Sequence, residues 1–277
     1  MKKIILSLTL FLLLAAPSLA QVAVFPQALF LDTKSRAANL KIINNNSDTR
    51  EVTIEMVFGY PGYDSTGTLE IFMGDTVPGV ERSAIPYVKV FPKKLMLNGG
   101  EEQVVKFMLL NTAKMEDGTY FGRIVVRSKE PPAQIDTTNL GGIKAQLDIE
   151  YNVVSALIVQ KGNKDCKVEI TDMDAYSDSA SVNILVGFKR LGNSPFFGTA
   201  ELNIYDADGN HVASKKEITP IYFDGKKAFK LDKTEFKEDK YKVEINLSNE
   251  HEDVPKEFKI PFNGLKESYV IDLHGKL

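Results

Sequence analysis

The chain has 277 residues, a formal net charge of −3, a single cysteine, three histidines and no tryptophan. One cysteine excludes an intramolecular disulfide, so a folded domain must rest on its apolar core alone. Lysines and arginines are spread among a slight excess of acids, with no basic stripe of the kind nucleic-acid binding needs.

Met1-Lys2-Lys3 is a short cationic start, residues 4–16 are an apolar run, and Pro17-Ser18-Leu19-Ala20 ends in small residues. This is the pattern of a secretory signal peptide, so residues 1–20 are expected to be removed near Ala20 and the mature chain exported. The run is shorter than the ~20 residues of a membrane span, and no later stretch is long and apolar enough to cross a bilayer as a helix, so no stable membrane insertion is expected. No cysteine stands at the cleavage site to take a lipid.

Residues 22–32 (VAVFPQALFLD) are apolar around Pro26, which predicts an edge strand or one that switches at the proline. Residues 39–43 alternate weakly and run into the turn cluster Asn44-Asn45-Asn46-Ser47-Asp48. Residues 50–58 (REVTIEMVF) predict a strand with Val52, Ile54, Met56 and Phe58 inward. Residues 59–67 read as a Gly- and Pro-rich loop, 68–73 as a short strand and 74–84 as irregular. Val88, Val90 and Phe91 lead into a proline, Leu95 and Leu97 follow, and Asn98-Gly99-Gly100 is a turn before a strand over 104–110. After a turn at Glu116-Asp117-Gly118, residues 119–127 (TYFGRIVVR) predict a strand and 128–142 a loop.

The stretch 141–159, GGIKAQLDIEYNVVSALIV, carries the clearest pattern. Ile143, Ala145, Leu147, Ile149 and Tyr151 fall on one face, with Lys144, Gln146, Asp148, Glu150 and Asn152 on the other, the alternation of a strand half in water. From Val153 the run is almost wholly apolar, which predicts a strand end covered on both sides. Such a strand is long against the usual five or six residues. It is expected to end the first domain, lead into the second and offer an edge to a partner.

Composition turns polar over residues 160–165, which places the boundary between domains at 21–160 and 161–277. The second half predicts strands over 167–171, 180–188, 199–205, 211–214, 227–231, 240–247, 257–261 and 269–273, with a hairpin turn at Asp206-Ala207-Asp208-Gly209-Asn210 and one helical turn within 233–238. Short strands with turn residues between them in both halves indicate an all-β chain, two tandem immunoglobulin-like β-sandwich domains after the signal peptide.

No catalytic pattern emerges. The sequence lacks G-x-S-x-G, a P-loop, H-E-x-x-H and a cysteine pair, and its histidines are scattered, so neither an enzyme, a cofactor nor a metal is expected. Asp172, Asp174 and Asp178 read as an acidic loop without an EF-hand's spacing. The pairs Lys215-Lys216 and Lys226-Lys227 read as solvated hairpin surface, and Cys166 as a buried or edge thiol. What remains is binding. An exposed strand edge is a template for one more strand, with main-chain bonds giving affinity and alternate side chains giving specificity.

Three segments, VAVFPQALFLDTKSRAANLKIINNNSD at 22–48, PYVKVFPKKLMLNGGEEQVVKFML at 86–109 and DGTYFGRIVV at 117–126, resemble in order and spacing the first domain of the PapD-type periplasmic pilus-assembly chaperones. The resemblance implies a two-domain boomerang in the periplasm that binds secreted, pilin-like subunits by strand addition through Ile143, Ala145, Leu147, Ile149 and Tyr151, with an outer-membrane assembly partner. That family anchors a subunit carboxylate on an arginine of the first strand and a lysine late in the edge strand. This chain has neither, at residues 27–29 or at Val153, Val154 and Ser155. The same architecture also suits a periplasmic or cell-surface structural or adhesion protein.

Overall fold

The structure, a computed structural model, describes residues 22–131 and 149–273. In chain order its first half contains β1 (Val22–Phe25), β2 (Ala28–Asp32), β3 (Ala37–Asn44), β4 (Arg50–Val57), β5 (Gly59–Tyr63), β6 (Leu69–Met73), β7 (Val88–Phe91), β8 (Lys94–Leu97), β9 (Glu102–Leu109), β10 (Gly118–Lys129) and β11 (Tyr151–Lys161). The second half contains β12 (Val168–Ser177), β13 (Ser181–Arg190), β14 (Thr199–Tyr205), β15 (His211–Ile218), β16 (Gly225–Asp232), β17 (Lys240–Ser248) and β18 (Leu265–Asp272). Among the described residues the helical segments are short 3-10 turns, and no helix is long and apolar enough to cross a membrane.

Each half is a two-sheet sandwich. The first packs β1-β3-β9-β7 against β2-β11-β10-β4-β8, and the second packs β12-β13-β16 against β15-β14-β17-β18. Alternation explains the cores. Leu40 and Ile42 of β3, Val105 and Phe107 of β9, Ile54 of β4 and Ile124 of β10 meet in the first, with Val182, Ile184, Phe229, Val243 and Ile245 in the second. Each such side chain, fully removed from water, contributes roughly 1.5–3 kcal/mol.

Pro26 and Pro92 mark the points where the chain changes sheet. β1 and β7 belong to one sheet, β2 and β8 to the other. A residue with no N–H leaves no donor stranded where the ladder partner changes. Each sandwich also has a tyrosine hydroxyl that accepts from the backbone just upstream of its strand. Tyr120 Oη takes the Glu116 N–H at 2.9 Å, and Tyr241 Oη takes those of Lys237 and Glu238 at 2.6 and 2.7 Å. Such a corner is characteristic of immunoglobulin-like sandwiches.

Several expectations need correction. Residues 59–67 are not a loop throughout, since β5 pairs with β6 as a separate hairpin. Its glycines hid the strand from pattern analysis, yet a Cβ at Gly59 would lie 2.6 Å from the Phe72 carbonyl oxygen, so close packing demands glycine there. Phe58 is buried, but among aromatic rings of both halves rather than in the first core. Asp172 and Asp174 lie within β12, whose ladder with β13 shifts register between Ile170 and Asp172; the Asp172 carboxylate pairs with Lys226 at 2.6 Å. Lys227 is buried, not solvated. Residues 257–261 form no strand, and Lys256–Phe258 is a 3-10 turn. The helical turn at Lys233–Glu235 and the hairpin turn at Asp206 are as expected; the Asp206 carboxylate accepts from the Asn210 N–H at 2.8 Å.

Candidate functional site

The strand that leads from one sandwich to the other has unequal flanks. β11 runs antiparallel to β10 along its whole length, from Tyr151 opposite Ser128 to Lys161 opposite Gly118. On its other side β2 pairs in parallel only from Ala156 to Gln160. The Ala156 N–H donates to the Gln27 carbonyl at 2.9 Å. Backbone donors alternate sides along a strand, so the N–H groups of Asn152 and Val154 point the same way. Among the described residues no strand meets them there. Val154 and Tyr151 are exposed, while Leu157 and Val159 reach the first core.

Of the residues expected to bind a partner, Ile143, Ala145 and Leu147 lie outside the described residues. Ile149 and Tyr151 are described and exposed, Ile149 just ahead of the strand and Tyr151 at its first position. The covered end expected from Val153 begins at Ser155, which is buried, next to Ala156 where β2 starts to pair. There β2 closes the edge, and Ile158 joins an aromatic cluster shared with the second half.

That cluster fixes how the two sandwiches meet. Phe121 of β10 stands edge-on to Tyr222 with ring centres 4.7 Å apart, and Tyr60 of β5 lies 4.7 Å from Phe223. Around the rings, Gln160 Nε2 donates to the Phe258 carbonyl at 2.9 Å and Thr119 Oγ1 donates to Ser194 Oγ at 2.9 Å. The β5–β6 turn reaches the outer edge of β16, where the Ala228 N–H donates to the Gly67 carbonyl at 2.9 Å. Gly67 has φ +84°, and a Cβ there would sit 2.5 Å from the Ala228 nitrogen.

Beside this clasp a cleft of about 470 Å³ opens between the halves, lined by Pro26, Ala28, Ala156, Pro220, Tyr222 and others, with Arg123 of β10 among them. Arg123 stands opposite Ala156, which stands opposite Ala28, so two small side chains lead across the sheet to the guanidinium. Arg123 is 8 % exposed, has no carboxylate partner among the described residues, and its Nε finds no hydrogen-bond acceptor. Burial pushes its pKa down from the ordinary arginine range, opposed by the nearby Tyr222 hydroxyl. Burial likewise raises the Tyr222 hydroxyl, opposed by Arg123. A buried cation without an anion is a binding group for one. Pattern analysis passed over Arg123, although an arginine inside the apolar run TYFGRIVV was a visible signal.

His251 and Asp253 also line the cleft, with 3.9 Å between Nδ1 and a carboxylate oxygen. Among the described residues no group of histidine, cysteine and carboxylate side chains is arranged to hold a metal ion. Cys166 is buried and free, its thiol pushed up to about 12 chiefly by burial.

No family model matches the sequence, and no curated protein does. Solved structures do resemble it. The YadV chaperone is 11 % identical, with a TM-score of 0.47 over 91 % of this chain and 100 % of that one. A chain of the CsuC–CsuE chaperone–tip adhesion subunit complex of Acinetobacter baumannii is 10 % identical, with a TM-score of 0.43 over 91 % and 98 %. A chain of the Salmonella enterica SafA pilin–SafB chaperone complex is 10 % identical, with a TM-score of 0.43 over 84 % and 92 %.

Proposed function

We propose that the chain is a non-enzymatic periplasmic chaperone, with domains over 21–160 and 161–277, that binds secreted pilin-like subunits by adding their strand to the open side of β11. The observation that carries this reading is the unequal flanking of β11, paired with β10 throughout and with β2 only from Ala156 onward. A client strand alongside Tyr151 and Val154 meets aligned donors and acceptors, and the exposed side chains at Ile149, Tyr151 and Val154 supply apolar contact. Ile143, Ala145 and Leu147, outside the described residues, are assigned to the client contact on their sequence alternation alone. Arg123, at the floor of the adjoining cleft, supplies the cation that the sequence lacks at residues 27–29 and 153–155, and so takes a client carboxylate by charge-assisted hydrogen bonds. An outer-membrane assembly partner that receives the client belongs to the same reading.

The test is site-specific photo-crosslinking in the periplasm of cells that co-express the chain with a pilin-like subunit, with the reactive group in place of Tyr151. A crosslink to the subunit is expected, together with copurification of the pair. A folded chain that crosslinks to no subunit would leave the structural or adhesion reading standing instead.

A further inference from the structure

The outward face of the sheet β1-β3-β9-β7 contains neither β11 nor the cleft's cation, although β1 runs near β11 and ends beside the cleft-lining Pro26. Strand register sets its rows. Phe25 stands beside Lys41, which stands beside Val104, and in the next row Asn39 stands beside Lys106, which stands beside Phe91. Lys89 lies one row further, opposite Met108. Phe25 is 53 % exposed, Val104 49 % and Phe91 73 %, so all three protrude into water. The two phenyl rings stand on opposite edges of the sheet, with lysines between them.

The charge on this face runs against that of the chain. Its outward positions carry Lys41, Lys89 and Lys106 against one carboxylate, Glu102, and Lys41 holds that carboxylate at 3.1 Å. Lys89 and Lys106 have no carboxylate partner among the described residues. A chain with net charge −3 thus presents two free cations flanked by protruding aromatic and aliphatic groups. Rings that protrude need a socket in a rigid protein partner, whereas the headgroup region of a bilayer admits them without one. Lysines beside such rings meet lipid phosphates, each contributing through the negative surface potential.

We propose that this face docks the protein reversibly onto an anionic phospholipid surface, with Phe25 and Phe91 in the headgroup layer and Lys89 and Lys106 on the phosphates. Docking of this kind is shallow and peripheral and leaves β11 free on a different sheet.

The experiment is co-sedimentation of the mature chain with vesicles of phosphatidylcholine and phosphatidylglycerol in equal parts, and with vesicles of phosphatidylcholine alone. Binding to the mixed vesicles only, weakening as salt rises, is expected. K89E/K106E should lower partition by about tenfold or more, and F25S/F91S by a comparable factor, with unchanged circular dichroism and melting since all four side chains are exposed. Equal binding to both vesicle types, or binding untouched by either double variant, overturns the proposal. Binding to soluble poly-glutamate but not to mixed vesicles overturns it in favour of an acidic protein partner.

Discussion

Lys227 Nζ lies 2.8 Å from a Glu217 carboxylate oxygen, although Lys227 is only 5 % exposed. The lysine occupies a core-side position of β16 opposite Val186, with the rings of Phe229 and Tyr63 at 5.0 and 5.6 Å. Glu217 sits on β15, so the pair ties together the two sheets of the second sandwich, and Tyr63 of the first half leans on it.

This pair sets an acid sensitivity. Burial alone would raise the Glu217 carboxyl, but Lys227 and Lys215 outweigh it and hold the group below its ordinary range. A carboxyl depressed in the folded state stabilises above its unfolded value, and that contribution is lost as pH falls through the folded value. The melting temperature should therefore drop as pH falls below about 4.5. E217Q should flatten that dependence. At neutral pH it should cost roughly 1–3 kcal/mol in urea unfolding, because it strands the Lys227 ammonium; the lower part of that range is expected, since Glu217 is 32 % exposed.

Arg123 separates binding from stability. R123M keeps length and apolar contact while removing a desolvated, unpartnered charge, so urea unfolding should show equal or greater stability. Client copurification should fall by about tenfold or more, the loss of one charge-assisted contact. A variant that is less stable yet binds normally would contradict the role given to the guanidinium.

Proline substitution can read the open edge donor by donor. V154P deletes an N–H on the unpaired side of β11 and should abolish client capture with little change in melting. V153P deletes one facing β10, where Val153 stands opposite Val126, and should cost roughly 1–3 kcal/mol by leaving a buried acceptor without its donor. Capture and melting measured on both variants check the assignment of sides.

The thiol of Cys166, pushed up to about 12 chiefly by burial, should resist alkylation in the native state at pH 8 and react promptly in urea. Mass spectrometry of iodoacetamide-treated protein reads the difference. Fast native labelling would mean that the strand start beside it opens readily.

Much of the architecture was legible because period-2 alternation is local. The strand over 50–57, the turn at Asp206 and the sheet change at Pro26 needed no knowledge of distant residues. β6 was legible as a short strand over 68–73, but its partner β5 was not, because Gly59, Pro61 and Gly62 answer to contacts with Phe72 and with the second half rather than to strand propensity. Lys227 failed for a related reason. Its neighbour Lys226 is exposed, and only the register with β13 shows that the next residue turns inward. The tyrosine corners at Tyr120 and Tyr241 announce themselves only once their hydroxyls are seen against the backbone. The free side of β11 follows from where β2 begins, a fact of topology that residues 149–159 do not contain.

The eleven residue pairs between β10 and β11 have a mechanical meaning. Traction along the axis of β11 loads that ladder in shear, with many hydrogen bonds sharing the force at once. Traction across it strains the terminal pair first and lets the rest part in turn. A strand laid on the free side of β11 inherits the same anisotropy: firm against lengthwise sliding, yielding to peeling from one end. Under the proposed function, a client strand held this way would resist a lengthwise pull and part under a sideways one.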